Sequence, residues 1–451
     1  MSIKLVLGRS RKIVMLAALA VGLAAFVAAC GDDNNDSGGG GGGGGGGQSA
    51  SSKETDNPKC GMGNGKKATG TPIKLGGIAT KQPGTDFTEI PATAKAFFQC
   101  VNDNGGINGH PVSYSFETEQ TDPGQIAGLA KKLLENDKVL GIVGNISLIE
   151  CTVDHKYWEA NGIYTIGAGI APECWSTPNS APVNMGPRYS VDGGTQFLIR
   201  EKVKKLVLVQ SNVPGTGYIE GGFLLLGKDA GIPTVSLKEN VPIQDANSVA
   251  LKAVQAAGEG GGVVLNFTPP EAAKILQAAQ QQGLQDRVKW SCSTPCNTDF
   301  IADALGDRWE NKLGVNAELQ VTSSNKPDTV LYRSVLKKYA PDIPLGSFSQ
   351  MGFVQGKIAT QALLTIKGDT YNIKNVNDAF KSVKNFRTDI LCAPWYYGDA
   401  PLHIPNHIDL TTTPKDGVMV QKEGCFKISN VDPDIKRVED IEAKDPSLIG
   451  K

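Results

Sequence analysis

The chain is poor in the features that mark several large classes of protein. It has four histidines in 451 residues and no CxxC pair. Its one close histidine pair, His403 and His407, flanks Pro405, which excludes a helical HxxxH face. No structural metal is expected. No excess of positive charge exists: 45 basic residues face 46 acidic ones, a formal net charge of −1. That argues against a nucleic-acid binder working through a basic surface. GxSxG and HExxH are absent, and no GxGxxG follows the first strand-like segment, which removes the commonest hydrolase and dinucleotide signatures. Ser323-Ser-Asn-Lys326 matches SxxK, but that motif should open a helix, and no helical stripe surrounds Pro327. His110, in a turn, and His155, on a helix, read as solvated polar residues rather than general bases. With no nucleophile–base pair, an enzyme is not expected.

What is present begins with an export signature. Residues 1–12 carry Lys4, Arg9, Arg11 and Lys12 and no acid, and Ile13 to Ala29 form an uncharged apolar run ending in Val27-Ala28-Ala29-Cys30. Seventeen residues at 1.5 Å each rise ~26 Å, short of the ~30 Å hydrocarbon core. A positive start, an apolar stretch and small residues before a cut make an export signal over residues 1–29. It resembles a bacterial lipoprotein signal, in which Cys30 is lipidated and becomes the first residue. No other stretch reaches 18 apolar residues, so no membrane contact beyond that lipid is expected. Without the signal the protein is mildly acidic. Residues 30–71, with ten consecutive glycines from Gly38 to Gly47, read as a disordered tether. About 40 residues of such chain span ~35 Å root-mean-square.

Eight further cysteines, an even count in an exported chain, suggest disulfides. Cys151 and Cys174 follow consecutive strands, whose loops are brought together, and Cys292 and Cys296 share one turn. Of the three pairings that the remaining four cysteines allow, Cys60–Cys100 and Cys392–Cys425 are favoured.

From Pro72 the chain alternates strands and helices. IKLGGIA reads as a strand, and Ala94, Phe97, Phe98 and Val101 form a helical stripe stopped by Asn104-Gly105-Gly106. PVSYSFE, VLGIVG and IYTIG continue the strands, with helices around Ile126–Leu134 and over 152–161. A second series, KLVLVQ, PTVSLK, GVVLNF and VKWSC, alternates with helices over 218–230, 247–257 and 271–282. The expected fold is α/β, with two doubly wound parallel-sheet lobes. The loop-rich PECWSTPNSAPVNMGPRYS between the series reads as a crossing between them.

At these residues a resemblance can be stated. GGINGHPV, QTDP, GIVGN, KLVLVQSN, LNFTPPEAAKILQAAQQQGL and SFSQMGFVQGKIATQALLTIKG occur in the order found in the type I periplasmic binding proteins, near the leucine/isoleucine/valine-binding branch. It covers about residues 72–430. It implies three hinge crossings, near residues 187–193, 314–322 and 393–405. The N-terminal lobe would comprise 72–190 and 319–395, the C-terminal lobe 191–318 and 396–430, and a charged tail 431–451. It also implies a monomer that binds a small solute and an ABC transporter permease, with no cofactor. A ligand-sensing surface lipoprotein of the same fold is the alternative.

Ligands of parallel sheets bind beyond the carboxyl ends of the strands. In the first lobe those loops are Thr80–Phe87, Asn145–Glu150 and Gly167–Ala171, and in the second they hold Tyr218, Phe267, Thr268, Ser293 and Thr294. The resemblance singles out Ser147, Ala168, Gly169 and Tyr218, while Gln350, Met351 and Phe353 open a late helix that could wall the cleft. Ser147 could instead cap a helix, Tyr218 pack on a surface, and Phe267 belong to the core. Amino-acid binders of this family place a carboxylate in the loop that here reads SCSTPCNT, which has no acid before Asp299. Either another acid such as Glu150 substitutes, or the ligand is an amide, an aromatic acid or another small organic acid.

Overall fold

The computed structural model describes residues 53–213, 215–397, 402–403 and 407–451. Cys30, the export signal and the glycine run lie outside these residues. The first sheet contains β1 (Ile73–Gln82), β2 (Thr85–Asp86), β3 (Val112–Glu119), β4 (Gly141–Val143), β5 (Thr165–Gly167) and β6 (Ser180–Pro182). Five strands run parallel in the order β3-β1-β4-β5-β6, and β2 folds back antiparallel on the end of β1. The second sheet contains β7 (Leu206–Ser211), β8 (Thr234–Glu239), β9 (Gly262–Asn266), β10 (Lys289–Cys292), β11 (Leu313–Ala317), β12 (Ile408–Lys415) and β13 (Val418–Lys427). Its parallel part runs β8-β7-β9-β10-β11. The lobes are the expected mostly parallel sheets, and at one edge of the second β12 and β13 form an antiparallel hairpin against β11. A chain returning late to a sheet can close its open edge most simply by a hairpin.

The helices are α1 (Glu89–Asp103), α2 (Pro123–Lys131), α3 (Glu150–Ala160), α4 (Glu173–Ser176), α5 (Pro187–Arg200), α6 (Glu220–Asp229), α7 (Ala246–Ala257), α8 (Pro269–Gln281), α9 (Asp299–Leu305), α10 (Pro327–Tyr339), α11 (Ser347–Leu363), α12 (Ile373–Lys381) and α13 (Pro433–Lys444). Central strands such as β9 and β11 are buried along their whole length, because helices cover both faces of each sheet. In the first lobe α1 buries its Ile90, Ala94, Phe97, Phe98 and Val101 stripe against α11, where Phe97 meets Phe353 edge to face at 5.0 Å. Among the described residues no helix is long and apolar enough to cross a membrane.

The chain leaves the first sheet through α5, returns after β11, and passes again to β12. Residues 398–401 and 404–406 of that last passage, within the expected 393–405 crossing, lie outside the described residues. Three expectations are corrected. Residues 53–71 are not tether: the Thr55 amide donates to Ser334 Oγ at 3.0 Å, Asn104 Nδ2 donates to the Pro58 carbonyl at 3.0 Å, and Cys60 is bonded to Cys100. Covalent closure and hydrogen bonds fix a segment that buries little apolar surface of its own. Residues 431–451 are not a free tail, because α13 buries Ile435 and Val438 beneath its charged face. A helix does begin at Pro327, since proline is preorganised for the first helical position, but Ser323 to Lys326 form the loop before it. The other cysteines are joined as Cys151–Cys174, Cys292–Cys296 and Cys392–Cys425.

Candidate functional site

A cavity of about 100 Å³ lies where the carboxyl ends of both sheets face each other. A water-sized occupant needs roughly 10–15 Å³ of such space, so it has room for a small organic molecule and not for a peptide. Phe87, Ile146, Leu148, Ile170, Phe348 and Met351 line it from the first lobe, and Val213, Ile219, Phe267 and Pro295 from the second. Most of the wall is therefore apolar. One group of polar residues, Asn184, Ser190, Thr294 and Glu318, lines it near the start of α5.

Glu318 was not foreseen from the sequence. It follows β11 directly, is 1% exposed, and among the described residues is the one charged residue lining the cavity. Its Oε2 accepts from the Met185 amide at 2.9 Å and its Oε1 from Thr294 Oγ1 at 3.2 Å. Ser190 Oγ supports Thr294 by donating to Thr294 Oγ1 at 2.7 Å and accepting from its amide at 2.7 Å. Burial pushes the Glu318 carboxyl up to about 8, against the pull of those two donors. Such a group gains most from a positively charged or strongly donating partner. An acid placed immediately after the largely apolar strand LGVNA was the available signal, because such a position ends at a cleft.

Glu150, the acid considered from sequence, faces elsewhere. It is buried at the start of α3, accepts from Trp158 Nε1 at 2.6 Å, and does not line the cavity. Burial and neighbouring Asp154 raise it to about 8.

Of the other residues singled out, Gly169, Phe267, Thr268, Thr294 and Met351 line the cavity. Six do not, and each has a structural partner instead. Ser147 Oγ donates to a Glu119 oxygen at 2.9 Å and accepts from the Ile149 and Glu150 amides, so it caps the entry to α3. Its neighbours Ile146 and Leu148 take the cavity side, since successive residues of an extended segment point to opposite faces. Ala168 is buried beside Gly169, whose amide is taken by Asn184 Oδ1 at 2.6 Å. Ser293 Oγ donates to Asn266 Oδ1 at 2.9 Å, and Gln350 Nε2 to the Gln320 carbonyl at 2.9 Å. Phe353, also considered, is fully buried against Phe97 and Tyr332.

Tyr218 is the sixth. It does cross from the second lobe to the first, but its hydroxyl donates to the Ile170 carbonyl and its ring lies 5.9 Å from that of Trp175. It is a latch between lobes at the cavity's edge. Thr268 Oγ1 makes a second such contact, to the Gly84 carbonyl at 3.3 Å. Tyr218→Phe removes one hydrogen bond of the closed form, so affinity should fall by about 0.5–1.5 kcal/mol. The loss should be equal for ligands of different chemistry, which titration calorimetry on two unlike ligands would read. A loss confined to one ligand class would instead put the hydroxyl on the ligand.

Two sheet-and-helix lobes joined by a multiply crossed hinge, with a small mostly apolar cavity between them, define a solute-binding protein. The periplasmic binding protein family model matches residues 72–410, and the chain belongs to that family, whose members bind solutes rather than turn them over. No curated protein matches. Among solved structures, a branched-chain amino acid ABC transporter protein from Thermus thermophilus with bound valine is similar at 16% identity and a TM-score of 0.71, covering 82% of this chain and 99% of that one. A fatty acid ABC transporter substrate-binding protein from Thermomonospora curvata shares 17% identity with a TM-score of 0.67, over 88% of this chain and 98% of that one. A solute binding protein from R. palustris in complex with benzoate shares 16% with a TM-score of 0.64, over 79% and 97%. At such identities the likeness is one of fold, the type I periplasmic binding protein fold.

Proposed function

We propose that the protein captures a small solute with an apolar body and a cationic amine, and delivers it to an ABC transporter outside the cytoplasm. Glu318 carries this reading: among the described residues it is the one charged residue lining the cavity. A benzoate or fatty acid would there meet a buried carboxyl and no cation, whereas an ammonium would be paired. Branched-chain amino acids fit, their side chains against Phe87, Ile146 and Phe348 and their carboxylate toward the hydroxyls and amides of the cleft. Lipidation of Cys30 and the glycine run then tether the protein to the membrane. The same fold without a transporter would make it a ligand sensor, and loss of solute uptake in a deletion strain separates the two. Mass spectrometry of ligand retained by gently purified protein tests the class directly. Retention of an acid lacking any amine would overturn it.

A pH dependence follows. In the free protein Glu318 titrates near 8, and an ammonium beside it lowers that value. Asp409 is itself held well above its ordinary value by burial and by the charge of Glu318. Below about pH 8 an amine must expel a proton to bind, so affinity should rise with pH by up to about tenfold per unit and level off above about 8. Calorimetry in buffers of different ionisation enthalpy should find about one proton released near pH 6 and almost none near pH 9. Proton uptake, or no exchange at the lower pH, would contradict the pairing.

A further inference from the structure

The four disulfides differ in what they join. Cys60–Cys100 and Cys151–Cys174 each close a loop on the first lobe, and Cys292–Cys296 closes one turn at the end of β10. Cys392–Cys425 joins one lobe to the other. Cys425 lies on β13, the outer strand of the second sheet. Cys392 lies in a segment held by the first lobe, whose core takes Ile390, Leu391, Trp395 and Tyr397. Trp395 Nε1 donates to the Pro182 carbonyl at 2.8 Å, and the Tyr397 hydroxyl donates to the Thr165 carbonyl at 3.1 Å. The bridge also touches the strand that carries Glu318. Two residues further on, the Gln320 amide donates to the Ile390 carbonyl at 2.9 Å, and its Nε2 donates to the Cys392 and Cys425 sulfurs at 3.4 and 3.6 Å. The Gln320 carbonyl in turn accepts from Gln350 Nε2, on α11 between the cavity residues Phe348 and Met351. Hydrogen bonds thus run from the bridge to the cavity's wall.

We propose that the Cys392–Cys425 bridge is a hinge staple, a covalent link beside the three chain crossings that limits how far the lobes part without ligand and thereby raises affinity for the solute. A cross-link acts mainly on the state with more conformations. Here that is the open state, since the Tyr218 and Thr268 contacts already hold the closed one. Fewer open conformations leave less entropy to lose on closure. This rests on the reading that solute enters by parting of the lobes, and adds what limits the parting. The bridge is also the most accessible of the four. Cys425 is exposed and Cys392 half-buried, whereas every other bridge has a cysteine no more than 2% exposed. A dissolved dithiol reaches it first.

The test combines small-angle scattering with calorimetry on L-leucine, using the intact protein and its Cys392→Ser/Cys425→Ser variant. Without ligand the variant should have the larger radius of gyration, and saturating L-leucine should abolish the difference. Its Kd should rise roughly threefold or more. Cys60→Ser/Cys100→Ser, which opens a bridge within one lobe, should lower the melting temperature and leave both readings unchanged. If the first variant does not fold, brief dithiothreitol treatment of the native protein supplies the opened form. The bridge becomes two thiols as the dithiol is oxidised, and alkylation with peptide mapping identifies the product. Equal ligand-free radii with and without the bridge overturn the staple. So does a lower melting temperature with unchanged Kd, which would make the bridge a stabiliser of the fold alone. If the radii differ but L-leucine does not bind the intact protein, the staple stands and the amino-acid reading falls.

Discussion

Glu318→Gln is expected to weaken binding of L-leucine or L-valine by about 2–4 kcal/mol, roughly 30- to 1,000-fold in Kd. The amide keeps the side chain's volume and still accepts from the Met185 amide, so packing at the hinge is preserved. What is lost is the negative charge that an ammonium calls up in a cavity where no other described residue is charged. Melting of the ligand-free variant should be unchanged or slightly raised. A carboxyl pushed up to about 8 by burial gains little net stability from its charge in the ligand-free protein. Affinity for benzoate, if measurable, should move the other way, because the variant no longer opposes an anion. Calorimetry on both ligands decides the matter. A loss under about threefold for the amino acids would remove Glu318 from the site.

Gly352→Ala should have the largest effect on stability. Gly352 lies on α11 where it crosses α1, and an added Cβ would stand 2.1 Å from the Ile90 carbonyl oxygen and 3.0 Å from Thr93 Cβ. Backbone cannot move aside as a side chain tip can, so the two helices must separate and expose the Phe97 and Phe353 contact. A destabilisation of about 3 kcal/mol or more is expected, or failure to accumulate folded protein. Gly128→Ala, on α2 with open space around it, supplies a control of opposite sign and should stabilise by up to about 1 kcal/mol. Denaturant midpoints of the two variants check the pair. Equal, small shifts would mean the α1–α11 crossing is looser than described.

Local pattern was enough for the architecture. The apolar runs KLVLVQ and GVVLNF are strands buried on both faces as β7 and β9, and the Ala94, Phe97, Phe98, Val101 stripe is the buried face of α1. Such signals are legible because burial imposes a period on the residues themselves. The loops that approach the ligand were also legible, since parallel strands aim them at one cleft. Which residue in each loop faces inward was not. Ser147 and Ile146 are adjacent, and only the position of Glu119 across the first lobe turns the hydroxyl away and the isoleucine toward the cavity.

Long-range contacts decided the rest. Glu318 becomes the cavity's acid because β11 ends at the hinge, beside Met185 and Thr294, which are 133 and 24 residues away in sequence. Residues 53–71 join the body because the thiols of Cys60 and Cys100, 40 residues apart, meet on the first lobe. The sequence by itself determined the alternation of strands and helices, the lobed class and the cleft's general place, through periodicity and turn chemistry that each segment carries alone. Only the tertiary structure decided which side chains face the solute, because a side chain's direction depends on partners that the chain brings together from far apart.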